Sequence, residues 1–332
     1  MPVARKLDFI VTGTGRSGTS AVARYLSAVR GVHCGLELFS PWSDHGKLEP
    51  PGCFTDLTKP DLPRGMRKPS PVLLNFSLSE IERRQSALRY FGNKTPNYIF
   101  RLKGLLDELE PSRAIVCWRD VRSVAKSYAR RADDPDDSWD PGKRAIFAAA
   151  DTAVCIRSLA SLGDHDVLIV PNRVVVADWE SATHKMISYI LPELTTVEFD
   201  PVNLAAITKR LSAVKPSSRS VPVWSTVEEE AIAAIEQTNV DGLLNRSEPF
   251  MLSEVLHDLK SVSAKLPADL FRFVENLVAQ DGRPEMEAYV PKWLRMAHLG
   301  QVAHDRRSES GEPSRSARHA GRGVVDGRKS LQ

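Results

Sequence analysis

The chain has 332 residues, 42% of them apolar and 26% charged, with 45 Lys and Arg against 42 Asp and Glu for a net charge of +3. That length supports a sizeable buried core, and the composition excludes collagen-like, coiled-coil and wholly disordered classes. The basic excess falls in residues 301–332, so the rest is neutral and gives no electrostatic case for general nucleic-acid binding.

In chain order, Leu7 to Thr12 is a short run of β-formers followed by a Gly-rich turn, which predicts a strand and then a loop. Ser20 to Val29 repeats apolar residues at a 3.6-residue period, predicting a helix capped near Ser17 to Ser20 and ended by Gly31. Val32 to Leu38 predicts a second strand. The Pro-rich stretch Pro41 to Pro71 reads as a long loop, a candidate lid over an acceptor site.

Helical patterns cover Leu78 to Tyr90 and Tyr98 to Leu109, and Arg113 to Trp118 reads as a buried parallel strand followed by a helix to about Arg130. Asp133 to Asp140 is an acidic loop, and Gly142 to Leu159 an Ala-rich helix. Val167 to Val170 is a further strand, with helices over Ser181 to Leu191 and Thr226 to Gln237. Strands alternating with helices predict an α/β fold with a mainly parallel sheet. Residues 250–300 read as helical throughout, and the Ser-, Arg- and Gly-rich tail as disordered. The expected division is a core over 1–245, a helical extension over 246–300 and a basic tail over 301–332.

No stretch reaches the roughly 18 apolar residues of a membrane span, and Met1 to Phe9 is charged where a signal peptide is apolar. A cytoplasmic protein is expected. Cys34, Cys53, Cys117 and Cys155 lie far apart without metal-ligand spacing, a pattern of free thiols in a reducing compartment.

Gly13-Thr14-Gly15-Arg16-Ser17-Gly18-Thr19-Ser20 falls between a strand and a helix, where backbone N–H groups and the positive helix end favour an anion. The string satisfies the dinucleotide pattern G-x-G-x-x-G and approaches the triphosphate loop G-x-x-x-x-G-K-[ST]. Thr19 stands where the second pattern needs Lys, and Arg16 places its charge three residues earlier. Glu37, 19 residues after Gly18, suits a ribose-binding acid, so the loop alone leaves both readings open. Beyond the strand 113–118 lie Arg119 and, eight residues on, Ser127: a forked donor and a hydroxyl that together can hold one dianion.

This combination resembles the sulfotransferase family, which uses 3'-phosphoadenosine 5'-phosphosulfate (PAPS) as sulfuryl donor. Arg16 to Ser20 looks like the family's 5'-phosphosulfate loop, and Arg119 with Ser127 like its 3'-phosphate motif. The motifs are most similar to those of tyrosylprotein sulfotransferases and their bacterial relatives. There, a C-G-E-E string carries the catalytic base at its second Glu, and an N-K-D-P segment carries a catalytic Lys. Cys34-Gly35-Leu36-Glu37 and Asn93-Lys94-Thr95-Pro96 occupy the matching places.

The resemblance, spanning roughly residues 7–240, therefore implies a P-loop-like three-layer fold with Glu37, Lys94 and Arg16 as catalytic residues. It assigns the co-substrate to Gly15, Arg16, Ser17, Gly18, Thr19, Ser20, Arg119, Ser127 and Arg131, and by looser analogy to Lys215 and Arg219 in a loop before Trp224. Val170-Pro171-Asn172-Arg173 stands where the family has a Tyr-Glu pair.

Sulfuryl transfer asks for a base at the acceptor hydroxyl and cations at the departing phosphate oxygen. Two basic side chains can replace a metal there, and none is expected. A glycan, small molecule or tyrosine is the expected acceptor. Two rivals remain at the level of sequence: an NAD(P)-dependent oxidoreductase built on the same Gly-rich loop and Glu37, and a non-catalytic nucleotide-binding module that uses residues 250–300 to bind a partner.

Overall fold

The computed structural model describes residues 7–38, 88–109, 113–135, 137, 139, 144–163, 165–212 and 224–267. The expected lid, Cys53, residues 78–87 of an expected helix, Lys215, Arg219 and everything from 268 through the basic tail lie outside the described residues.

The described strands are β1 (Phe9–Gly13), β2 (Val32–Leu36), β3 (Tyr90–Lys94), β4 (Arg113–Trp118), β5 (Val167–Pro171) and β6 (Phe250–Met251), in the spatial order β2-β3-β1-β4-β5-β6. The first five are parallel, and β6 runs antiparallel to β5. Strand alternation divides the interior into two cores, because successive side chains of one strand point to opposite faces. Ile10, Ala114, Val116, Trp118, Val167 and Ile169 feed one face; Phe9, Val11, Ile115, Cys117, Leu168 and Val170 feed the other.

Helices α1 (Thr19–Ala28), α6 (Trp179–Ile190) and α7 (Pro201–Ser212) contribute to the second core. The first is covered by α2 (Leu102–Leu109), α3 (Val121–Ala132), the Ala-rich α4 (Ala145–Ala160), α8 (Thr226–Glu236), α9 (Val240–Leu244) and α10 (Leu256–Lys265). A short α5 (Asn172–Ala177) follows β5 directly. The result is the expected three-layer α/β architecture.

Three expectations need correction. Tyr90–Lys94 is an interior strand, whereas the helical pattern over Leu78 to Tyr90 is expected to run into it and no strand is expected over 91–94. Tertiary contact overrides local propensity here: a Cβ on Gly92 would lie 2.2 Å from the Phe9 ring, so glycine lets β3 pair tightly with β1. Tyr98 lies in a 3-10 turn (Pro96–Arg101), and the α-helix begins only at Leu102. The C-terminal region is not helical throughout, since Phe250–Met251 add a strand to the sheet, and Phe250, Leu252, Val255 and Leu259 bury in the same core as β4.

Candidate functional site

The loop between β1 and α1 closes on itself. The hydroxyl of fully buried Ser17 donates to the Thr14 carbonyl at 2.7 Å, and the Ser17 N–H donates to the same oxygen at 3.2 Å. Arg16 (φ 65°) and Gly18 (φ 98°) both take the left-handed region, which reverses the chain and starts the helix. Gly18 is the N-cap and α1 has no side-chain cap, so the hydroxyl cap expected from Ser17 to Ser20 is absent. The first-turn N–H groups of α1 therefore keep their capacity for an anion, reinforced by the helix dipole. Two side chains wall the loop closely. A Cβ on Gly15 would lie 2.2 Å from the Tyr128 hydroxyl, and one on Gly18 would lie 2.2 Å from the Asn172 side-chain nitrogen.

The second motif meets the first. Arg16 Nε donates to Ser127 Oγ at 3.0 Å and Arg119 donates to the Arg16 carbonyl at 3.2 Å. These contacts span more than a hundred residues of sequence because β1 and β4 are adjacent and their carboxyl ends lie side by side. Asp120 caps α3 by accepting from the Ser123 N–H at 2.7 Å, which fixes the helix that carries Ser127.

Arg16 remains open to solvent, yet loss of water around its guanidinium, then the positive charges of Arg131 and Arg119, lower its pKa. Arg119 is lowered as well, chiefly by burial. Guanidinium groups that disfavour one another's charge form a site that an anion relieves.

Glu37 and Lys94 meet at the carboxyl ends of β2 and β3. Lys94 Nζ donates to Glu37 Oε1 at 2.7 Å; the lysine side chain is 3% exposed and the glutamate 41%. Glu37 follows β2 in a left-handed conformation (φ 56°), and its N–H donates to the Lys94 carbonyl at 2.7 Å. Non-glycine residues in this region are uncommon and cluster at functional sites. Asn93 supports the turn, accepting from the Leu38 N–H and donating to Tyr98 and Thr95 hydroxyls. The Thr12 hydroxyl donates to the Pro96 carbonyl, tying the Asn93 to Pro96 segment to β1.

Arg131, expected at the co-substrate, forks onto Asp137 at 2.6 and 2.5 Å, lies over the Trp139 ring and is near enough to Arg16 for its charge to lower the Arg16 pKa. Arg119 and Ser127 come together with the loop, and Glu37 with Lys94. Thr19 is buried and Ser20 half-buried at the start of α1. Sequence reasoning missed Tyr128, Asn172 and Asp137. Tyr128 is buried, donates to Asp151 at 2.6 Å and packs edge-on to Trp139. A tyrosine next to the clamp serine carries no local signal, and only the approach of α3 to Gly15 reveals its part.

The fold is a P-loop-like α/β architecture whose first loop carries an arginine, Arg16, and has Thr19 where the triphosphate loop has lysine. The profile of the sulfotransferase family matches residues 8–191, and the chain belongs to that family. Among solved structures, the chain is similar to the sulfotransferase domain of the Synechococcus PCC 7002 olefin synthase, at 18% identity over 70% of this chain and 95% of that one, with a TM-score of 0.38. It is also similar to sulfotransferase STF1 of Mycobacterium tuberculosis H37Rv (16% identity, 70% and 77%, TM-score 0.40). A third similar structure is STF9 of Mycobacterium avium (15%, 73% and 77%, TM-score 0.41). No curated protein sequence matches the chain significantly. Among the described residues, no helix is long and apolar enough to cross a membrane.

Proposed function

We propose that the protein transfers a sulfuryl group from PAPS to a hydroxyl acceptor, with Glu37 taking the acceptor proton. The observation that carries the reading is the bond from Arg16 to Ser127, which joins two motifs far apart in sequence at one crowded cationic place. An adenosine 3',5'-bisphosphate skeleton fits this donor set. The α1 N-terminus and Arg16 suit the 5' anion, while Arg119 and Ser127 suit the 3'-phosphate. Bound there, PAPS supplies the activated sulfuryl group.

The protein's own groups act as follows. Lys94 fixes one oxygen of Glu37, and the other carboxylate oxygen receives no hydrogen bond among the described residues. It is available to accept a proton from a hydroxyl placed at the solvent-facing side of the pair. Lys94 and Arg16 provide positive charge for the oxygen that the sulfuryl group leaves, fixed in advance by the fold. Lys215 and Arg219 stay in the proposal as loop residues toward the co-substrate. The acceptor is a small molecule, a glycan or a tyrosine.

The test is titration with adenosine 3',5'-bisphosphate against NAD(H), followed by transfer of labelled sulfate over an acceptor panel. Expected are thermal protection by the bisphosphate and a labelled product. Protection by NAD(H) alone overturns the reading. Glu37→Gln is expected to lower turnover by about 10²–10⁴-fold while leaving bisphosphate affinity within about threefold. Bisphosphate binding with no product from any acceptor would favour a non-catalytic nucleotide-binding module.

A further inference from the structure

Arg119 is the residue on which discrimination for a 3'-phosphate rests in this reading, and its neighbours on both sides, Trp118 through its indole and Val121 through its backbone, face one carboxylate from a distant element. The Trp118 indole Nε1–H, just before Arg119, donates to Asp241 Oδ1 at 3.2 Å. The Val121 N–H, two residues after Arg119 and first in α3, faces the same carboxylate closely enough to favour its charge. Asp241 lies in the first turn of α9, introduced by Asn239 in the left-handed region (φ 59°). Asparagine is among the few non-glycine residues that take this region readily, so the sequence itself sets the turn before the aspartate. Arg122 joins α3 to α8 at the same junction through bonds to Glu236 and Glu229.

We propose that Asp241 is a positioning residue of the nucleotide clamp, holding the β4–α3 corner so that Arg119 and Ser127 face one 3'-phosphate. The assignment rests on the reading of the site given above. A carboxylate here is a poor choice for stability alone. Burial, then the neighbouring charge of Asp120, raise Asp241 to about 6, and Glu236 adds to the repulsion. A neutral acceptor would satisfy the indole without that burden. The carboxylate accepts the Trp118 indole N–H on one side of Arg119, and on the other its charge complements the N-terminus of α3 at Val121.

The experiment measures the affinity of the full chain for adenosine 3',5'-bisphosphate and for adenosine 5'-phosphate, in the wild type, Asp241→Asn and Asp241→Ala. The wild type is expected to prefer the bisphosphate strongly. Asp241→Asn keeps one acceptor oxygen and should reduce that preference about threefold. Asp241→Ala should reduce it about tenfold, with the 5'-phosphate bound as before. The melting temperature of Asp241→Asn at pH 8 is expected to be no lower than that of the wild type, separating positioning from loss of structure.

An unchanged preference in either folded variant overturns the role of Asp241; should Asp241→Ala not fold, Asp241→Asn decides. Equal loss for both ligands, or a higher preference, as expected were Asp241 merely a nearby negative charge, overturns it as well. A wild type without preference overturns instead the assignment of Arg119 and Ser127 to a 3'-phosphate, and the proposal for Asp241 with it.

Discussion

Replacing Gly15 by alanine tests whether the phosphate loop is shaped by α3. The new Cβ would lie 2.2 Å from the Tyr128 hydroxyl, 3.1 Å from the ring carbon that carries it and 3.3 Å from the adjacent one. Tyr128 cannot swing aside at little cost, because it is buried, bonded to Asp151 at 2.6 Å and packed edge-on to Trp139 at 4.9 Å. Breaking a hydrogen bond to a charged acceptor costs about 1.5–3 kcal/mol, and overpacking a tight interior adds about 1–3 kcal/mol, so Gly15→Ala should destabilise by about 2.5–6 kcal/mol.

Tyr128→Phe alone loses the bond, for about 1.5–3 kcal/mol. Together the substitutions remove the hydroxyl clash and leave only the ring contacts, which ask for a shift of a few tenths of an ångström. The double variant should therefore be more stable than the sum of the singles implies, by about 2 kcal/mol, within the range measured for contacting residues. Urea denaturation with an unchanged slope measures each value, and bisphosphate titration follows the loop. Additive costs within about 0.5 kcal/mol would show that the loop relaxes away from Tyr128, and would refute the claim that α3 shapes the anion site.

Arg119→Ala should weaken adenosine 3',5'-bisphosphate by about 1.5–3 kcal/mol, the scale of a charged hydrogen bond, measured calorimetrically; unchanged affinity removes Arg119 from the site. Asp137→Asn releases the fork on Arg131 and withdraws a negative charge that Arg16 also feels, so bisphosphate affinity should rise severalfold, and a fall would assign Asp137 to orienting Arg131. Lys94→Ala should lower turnover more than co-substrate affinity, read as a larger change in kcat than in KM for PAPS.

Asp241 gives a prediction with a pH signature. Its folded pKa, about 6, lies above the ordinary aspartate value of 3.8, so the unfolded chain ionises first and the folded state carries the burden of the buried charge. That burden is absent below about pH 4, grows as pH rises through 6, and levels off at about 1–3 kcal/mol above pH 7 after allowance for partial exposure. Asp241→Asn should thus match the wild type near pH 4 and equal or exceed it in thermal stability at pH 8. A variant less stable at pH 8 than at pH 4, relative to wild type, would contradict this sign.

The parts of the fold that sequence made plain share a cause. β1, β4 and β5 are buried on both faces and read as continuous apolar runs, and the loop after β1 announces itself because only glycine suits Gly13 and Gly18 at positive φ. β3 was hidden because what makes it a strand is the space left by Gly92 for the Phe9 ring, a property of β1 as much as of β3. The site divides the same way. Arg16, Arg119, Ser127, Glu37 and Lys94 fall within short strings whose spacing carries chemistry, whereas Tyr128, Asn172, Asp137 and Asp241 act through packing that no string encodes. The fate of Arg131 shows the converse, since its position in the helix was readable but the claim on it by Asp137 was not.

The distribution of charge gives the two halves of the site different natures. Around the loop, the hydrogen bonds of Arg16 and Arg119 to the opposite motif go, among the described residues, to hydroxyl and carbonyl oxygens, and the nearby charges of Asp137 and Asp120 offset theirs without a direct bond, so positive charge is left for a ligand. At β2 and β3 the opposite holds: Lys94 is almost fully buried and its charge is met inside the protein by Glu37, since an ammonium removed from water needs a counter-charge or strong acceptors. In this reading a ligand with several negative charges is drawn in its ground state to the first half, the lysine of the second serving the departing oxygen as charge develops on it during transfer, while the half-exposed carboxylate suits a neutral hydroxyl. Reversing it with Glu37→Lys should attract a bisphosphate toward the acceptor side, strengthening its binding while abolishing transfer; unchanged binding at low salt would mean that the two halves lie too far apart to feel one another's charge.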